Sequence, residues 1–389
     1  MRPFGSRHLR TLPAAVVIGS LFLGACGNNS TATATTTDRN TTTTTTTDIN
    51  TTAADSPNGI APPSTVTATT TLAGSAPAST TSFPVAPAPT VSLPPTVPTI
   101  DQLLGLQRPI VLAHTAGEDQ FPASTLFAFN ESVAARVDML DLNVQLTADG
   151  VLVVHHDDTV DRSTNGTGSV ASFTYDELAE LDDAYWFTPE CVCTDKPASD
   201  YPYRGMRTDE VEPPPGYAAD DFAIPRFRDV VAAFPDMPLN IEVKGNGDPA
   251  MAAAIVLASE LRELRIEDSV VVTSFDDAVV SAFHELSPDV EISPGLDVST
   301  AWVLAGTPLP DGMRILQLPP EFQGLTVITG KLIDDSHAAG YVVWIWPNNR
   351  DFENLDTYRS YLAQGIDGLN INFPEQGVTA VAMLIGAYV

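Results

Sequence analysis

VLAHTAGEDQFPASTLFAFNESVAARVDMLDLNVQLTADGVLVVHHDDTVDRSTNGTG, residues 111–168, holds two short apolar runs, VLAH and MLDLNVQL, around a helical segment, and adds a third, VLVVHH, after a TADG turn. Each run has the composition of a strand and ends on polar groups. Two histidines and a set of acids therefore gather at strand ends.

Runs of the same kind occur throughout the rest of the chain. PIVLAH begins at residue 109, and after MLDLNVQL come PLNIEVK (238–244), VVVTSF (270–275), VEISPGL (290–296), ILQLP (315–319), YVVWIW (341–346) and GLNIN (368–372). Helical stretches such as PAMAAAIVLASELREL and ENLDTYRSYLAQG separate most of them, the latter ending at Gly365 as a helix C-terminus does. Eight buried-looking strands alternating with helices define an α/β chain and fit a closed (β/α)8 TIM barrel better than a doubly wound open sheet. The Pro-rich stretch 188–225 interrupts the alternation and reads as an excursion over one barrel face.

The first hundred residues are different in kind. In residues 1–26, Arg2, Arg7 and Arg10 precede the apolar run LPAAVVIGSLFLGA, which ends at Cys26. That is the layout of an export signal, and Leu23-Gly24-Ala25-Cys26 resembles a bacterial lipobox, in which the cysteine becomes the lipidated first residue. The expected location is therefore a lipid anchor on the extracytoplasmic face of the cell membrane. Residues 27–100, rich in Thr, Pro and Ala, bury too little apolar surface to fold and read as a disordered linker. The folded domain is expected over 101–389.

Charge divides at the same place. Residues 1–100 hold four Arg and three Asp, so the overall net charge of −30 leaves −31 for residues 101–389. So acidic a domain repels a phosphate backbone, which excludes nucleic acid as a partner, and it raises the local cation concentration. Beyond Cys26 the only cysteines are Cys191 and Cys193, which read as a bridge, as free thiols or as a soft-metal pair.

In such a barrel the site forms at the C-terminal strand ends. His114 closes the first strand, Asp141 and Asn143 lie in the second, Glu242 and Lys244 end the third barrel strand, and Ser274 with Phe275 ends the next. Residues two apart in a strand share a face, so Asp141 faces with Asn143, and Glu242 with Lys244. Polar groups turned into a barrel interior are costly unless they serve a site. His284 and His337 fall in helical segments as packing or surface residues, and Asp161 with Arg162 reads as a structural ion pair beneath the site.

The segments AHTAG, PASTLFAF, DLNVQLTADG, VHHDDTVDRSTNGTG, IPRFRDVVAAFPDMPLNIEVK, VVTSFD and GIDGLNINFPE resemble, in order and spacing, the glycerophosphodiester phosphodiesterases. The likeness spans about residues 109–377. It implies a phosphoric diester hydrolase of lipid metabolism that cuts a small glycerophosphodiester to glycerol 3-phosphate and an alcohol, by way of a cyclic phosphate. It further implies His114 and His156 as the acid–base pair, with His155 a neighbour. Asp141, Asn143 and Glu242 stand at the positions that hold a divalent cation, Ca²⁺ or Mg²⁺. Lys244 matches a phosphate contact and Trp344 a side chain that stacks on the substrate, with barrel core the equal alternative for Trp344 and for Trp346. Two other readings stand beside this one: a non-catalytic lipoprotein using the barrel as a binding module, and a phospholipase D-like enzyme acting on sphingolipid or lysolipid headgroups.

Several positions depart from the family pattern. Its arginine after the first histidine is Thr115 and the following glycine is Ala116; its P-E-N-T is Pro122-Ala123-Ser124-Thr125. Its Glu-x-Asp metal pair is Asp141 and Asn143, so three carboxylates become two. An Asn carbonyl does ligate Ca²⁺, so one lost charge weakens such a site without abolishing it. A lost guanidinium removes a bidentate phosphate contact, a loss of roughly 2 to 4 kcal/mol where the contact is made in the transition state.

Overall fold

The structure, a computed structural model, describes residues 97–189 and 191–386. The expected signal, Cys26 and nearly all of the linker lie outside the described residues. Among the described residues no helix is long and apolar enough to cross a membrane.

The strands are β1 (Ile110–Ala113), β2 (Met139–Leu146), β3 (Leu152–Val154), β4 (Leu239–Val243), β5 (Val270–Thr273), β6 (Glu291–Ile292), β7 (Ile315–Leu318), β8 (Glu321–Phe322), β9 (Leu325–Thr326), β10 (Val342–Ile345) and β11 (Gly368–Ile371). Eight of them pair in parallel in the order β6-β5-β4-β2-β1-β11-β10-β7. At the seam between β6 and β7 the Ser293 hydroxyl donates to the Ile315 carbonyl at 3.0 Å, and Arg314 reaches Glu291 at 2.7 Å. Side-chain bonds thus hold together the two ends of the sheet, and the eight expected strands form a nearly closed TIM barrel. The run VLVV is β3, turned back antiparallel on β2 with Val144 opposite Val154. The two-residue strands β8 and β9 make a hairpin outside the barrel.

A helix follows each barrel strand, and sequence shows why each packs as it does. Gly247–Leu264 buries Ala250, Ala253, Ala254, Leu257, Ala258 and Leu261, one stripe at helical spacing laid against the sheet. Leu126–Ala134 begins where the Thr125 hydroxyl accepts the Ala128 N–H, and Leu355–Ala363 where Asn354 accepts from Thr357. The main core lies between sheet and helices, while Leu112, Met139, Val271, Ile315 and Trp344 cluster with Ile100 and Leu103 of the short leading helix.

Trp344 is therefore a floor residue. It is 1% exposed, and it pairs in register with Gly368, the first residue of β11, at the end of the barrel away from the site. This corrects the expectation that it stacks on substrate. A Cβ on Gly368 would lie 2.5 Å from the indole, so only glycine admits the ring there. Trp346, two residues on, has left the strand and stands at the mouth.

Among the described residues of 188–225 the only helical elements are short 3₁₀ turns, as an excursion should have. Arg204 pins it, with its guanidinium 3.9 to 4.4 Å from the rings of Tyr185, Trp186 and Tyr201. Cys191 and Cys193 form a disulfide within it, which decides among the three readings of that pair.

Candidate active site

His114 leaves β1 directly into a tight turn in which Thr115, Ala116 and Gly117 all have positive φ, of 42°, 67° and 84°. Left-handed backbone is strained for a β-branched residue, and here it turns the Thr115 N–H onto Asp141 Oδ2 at 3.1 Å. The Thr115 side chain itself is buried, so the position that carries an arginine in the family pattern contributes only backbone to the site.

The two histidines that the sequence selects come together. Their ring centroids are 6.4 Å apart with the planes at 77°. His114 Nδ1 donates to Asn372 Oδ1 at 2.7 Å, which leaves Nε2 available. Glu118 Oε1 lies 3.5 Å from the same Nδ1, and Asn372 Nδ2 donates to Glu118 and to the buried Asp119. Burial pushes His114 down, but the Glu118 hydrogen bond and charge, with Asp141 and Asn372, outweigh it and raise the imidazole to about 10. Burial acts on Glu118 in the opposite sense, yet His114, Arg162 and His156 together hold that carboxyl well below the usual carboxylate range. His114 is thus an imidazolium at neutral pH.

His156 is held differently. Its Nδ1 donates to Asp157 Oδ1 at 2.6 Å, while the Lys244 ammonium faces its Nε2 at 3.5 Å. That arrangement selects the tautomer with the proton on Nδ1 and the lone pair on Nε2. His155 points away, with Nε2 donating to the Thr159 carbonyl and Asp183 3.7 Å from Nδ1. It is a buried packing residue.

Arg162 does not pair with Asp161. It bonds Asp157 through Nε at 2.5 Å and approaches Glu118 at 3.7 Å, while Asp161 accepts the Gly168 N–H in its own turn. The expected Asp161–Arg162 pair is corrected: Arg162 bridges the two acids that orient the two imidazoles.

Glu242 and Lys244 share a face and touch, Nζ to Oε1 at 3.2 Å. Asn143 stands in register with Glu242, and Asp141 with Asn240. Asp141 is raised from its ordinary value chiefly by burial, against His114 and its hydrogen bonds; Asn240 Nδ2 donates to it at 2.6 Å. Asn240 in turn exchanges hydrogen bonds with Gln317 across the barrel interior. Among the described residues no three His, Cys, Asp or Glu side chains form a metal cluster. The second of the three positions is a neutral amide, which is sufficient reason. The Asn143 amide nitrogen is buried without a partner, and the alternative amide orientation puts an unpaired carbonyl oxygen there instead. A hard cation is what such an oxygen, beside Glu242 and Asp141, fits at reduced charge.

Sequence reasoning assigned no role to Glu118, Asn372 or Glu353. Glu353, buried behind the site, accepts the Tyr358 hydroxyl and the Asn372 N–H. Asn372 lay in GLNINFPE, one of the segments that carried the resemblance, and could have been found there; nothing in the sequence pointed to Glu118 or Glu353.

A (β/α)8 barrel with an imidazolium, a lone-pair imidazole and a lysine–carboxylate pair at its C-terminal strand ends has the parts of a phosphoric diester hydrolase. Residues 114–376 match the glycerophosphoryl diester phosphodiesterase family, and the chain belongs to that family. It is 26% identical over 273 residues to a glycerophosphodiester phosphodiesterase of Bacillus altitudinis, covering 69% of this chain and 96% of that one. It is 28% identical over 280 residues to one of Caldanaerobacter subterraneus subsp. tengcongensis, covering 70% and 97%. Its fold is similar to the crystal structure of the glycerophosphoryl diester phosphodiesterase domain of a Mycobacterium tuberculosis protein, with TM-score 0.56 at 22% identity over 70% of this chain and 99% of that one. An Oleispira antarctica phosphodiesterase in complex with sn-glycerol-3-phosphate aligns with TM-score 0.54 at 19% identity, over 70% and 97%.

Proposed function

We propose that this chain hydrolyses glycerophosphodiesters to glycerol 3-phosphate and an alcohol in two in-line steps, with His156 as base and His114 as acid. The observation that carries the reading is a pair of imidazoles 6.4 Å apart, each held through Nδ1 so that Nε2 is left for the substrate, with Glu118 beside His114 and the Lys244 ammonium facing His156. In the first step His156 Nε2 takes the proton of the glycerol 2-hydroxyl as its oxygen bonds phosphorus. His114 Nε2 gives its proton to the departing alcohol oxygen, leaving a cyclic phosphate. In the second step His114 takes a proton from water as the water oxygen bonds phosphorus, and His156 returns its proton to the 2-oxygen. Lys244, held between Glu242 and His156, presents its ammonium to a phosphoryl oxygen.

Asp141, Asn143 and Glu242 would hold a divalent cation, Ca²⁺ or Mg²⁺, whose chemistry there is charge neutralisation at the phosphoryl oxygens. The remainder of the reading, from the sequence, is an exported enzyme of lipid metabolism held at the extracytoplasmic membrane face through Cys26.

The test is hydrolysis of glycerophosphocholine by the full chain, followed as choline release with Ca²⁺ or Mg²⁺ present. His114→Ala and His156→Ala should each lower kcat by about 10²- to 10⁴-fold. Turnover by either variant at the parent rate would overturn the assignment. Detergent-phase partition of the parent but not of Cys26→Ala tests the anchor.

A further inference from the structure

Asn372 could meet His114 with either end of its amide, and its other neighbours decide which. Its backbone is fixed separately, by the N–H donated to Glu353, so what remains to be settled is the rotation of the side chain. Nδ2 stands 3.0 Å from Asp119 Oδ2 and 3.3 Å from Glu118 Oε1. Ionised carboxylates only accept, so the amide nitrogen turns to them and Oδ1 turns to His114, 2.7 Å from Nδ1. An oxygen at that place keeps a proton on Nδ1 and leaves Nε2 as the nitrogen whose proton comes and goes. The working nitrogen of His114 thus hangs on two carboxylates staying ionised.

Glu118 is held ionised by His114, Arg162 and His156. Asp119 is in a harder place. It is buried and follows Glu118 in the chain, and burial above all raises it from its ordinary value, against the Asn372 hydrogen bond and the charges of Arg350 and His114. Glu353 keeps its own proton up to about 8 and adds little charge below that. Arg350, from the loop after β10, is the cation in contact: its Nη2 lies 2.9 Å from Asp119 Oδ1, the oxygen that Asn372 does not use. The same nitrogen donates to the Pro189 carbonyl at 2.7 Å, so the start of the excursion holds the guanidinium at Asp119. A protonated Asp119 could donate as well as accept. The Asn372 amide would then be free to turn over, present Nδ2 to His114 and leave the ring with its lone pair on Nδ1.

We propose that Arg350 is a positioning residue for the acid: by pairing with Asp119 it keeps the Asn372 amide oxygen on His114 Nδ1, and so keeps Nε2 the nitrogen that serves the substrate. The inference rests on the proposed function in taking His114 as the acid.

The experiment uses the full chain with Arg350→Met, which keeps a long stem and removes the charge, and with Arg350→Lys, which restores a charge. On glycerophosphocholine, Arg350→Met should lower kcat at pH 6 by about tenfold or more and leave KM within about twofold. The deficit should shrink as pH rises, because Asp119 without its cation holds a proton to higher pH and activity needs the ionised form. Arg350→Lys should recover most of kcat. A deficit of the same size at every pH, a rise in KM in place of a fall in kcat, or no recovery by lysine would overturn the proposal. The downfield proton resonance of the hydrogen-bonded His114 Nδ1–H, assigned by its absence from His114→Gln, gives a readout that needs no turnover. It should be present in the parent and in Arg350→Lys and lost from Arg350→Met at pH 6. Its loss in Arg350→Met, with a parent that turns over no substrate, would uphold the positioning and remove the catalytic reading. Its persistence in Arg350→Met, beside a parent whose turnover needs His114, would overturn the positioning and leave the catalytic reading standing.

Discussion

Glu118 separates the roles of two otherwise similar imidazoles. It sits 3.5 Å from His114 Nδ1, within reach of Arg162, and its charge helps hold His114 up at about 10. A general acid works only while protonated, so activity is lost as pH rises through its pKa. Glu118→Gln removes one of the influences that raise His114, and the alkaline limb of kcat/KM should move toward lower pH. A pH–rate profile checks this, and an alkaline limb at its original place would show that Glu118 does not set the acid. Asn143 offers the second test at this scale. Asn143→Asp restores a third carboxylate beside Asp141 and Glu242, so Ca²⁺ measured calorimetrically should bind at least tenfold tighter, because ligand charge governs such sites. Unchanged affinity would place the cation elsewhere. His114, His156, Glu242 and Lys244 were legible because their positions sit at strand ends in an ordered series of motifs. Glu118 was not, because only the left-handed turn through Thr115 to Gly117 brings it back beside His114 four residues earlier, and Glu353 was not, because its partner Asn372 comes from another loop.

Strand parity placed Asp141 with Asn143 and Glu242 with Lys244 on the correct face, whereas the resemblance misled for Trp344. Trp344 and Trp346 share a parity, and what separates them is depth along the barrel axis, which depends on register with a neighbouring strand. Pairing with Gly368 puts Trp344 on the floor. The hairpin β8–β9 was missed for another reason: two-residue strands carry no period to read. The floor makes its own prediction. Gly368→Ala places a methyl 2.5 Å from the Trp344 Cδ1, a rigid ring in a packed cluster, and should destabilise the fold by about 1 to 3 kcal/mol, the usual range for overpacking. Thermal unfolding measures it. Combined with Trp344→Phe, which gives the methyl room, the two losses should be less than additive. Full additivity would mean that the strain is relieved elsewhere.

The barrel as a whole was readable because its strands are buried on both faces and so stand out as apolar runs, whereas closure between β6 and β7 depends on single side chains such as Ser293 that no pattern announces. The same whole-molecule view joins two sources of pH sensitivity. A net charge of −31 over residues 101–389 repels itself increasingly as carboxyls ionise, a long-range effect that salt screens over about 10 Å at 0.1 M. Glu353 acts differently: burial above all raises it to about 8 from an ordinary 4.5, against the Tyr358 and Asn372 hydrogen bonds. Between those two values the unfolded chain has lost the proton that the folded chain keeps. The group therefore contributes its full stability below 4.5, and that contribution is lost as pH rises to 8, at roughly 1.4 kcal/mol per pH unit. Glu353→Gln keeps the shape and removes the proton. Denaturant unfolding from pH 5 to 8 should show the parent losing stability with a slope that survives 0.5 M salt, and the variant nearly flat under the same salt. A slope that salt abolishes in the parent, or that persists in the variant, would assign the pH dependence to surface repulsion and leave Glu353 ionised in its pocket.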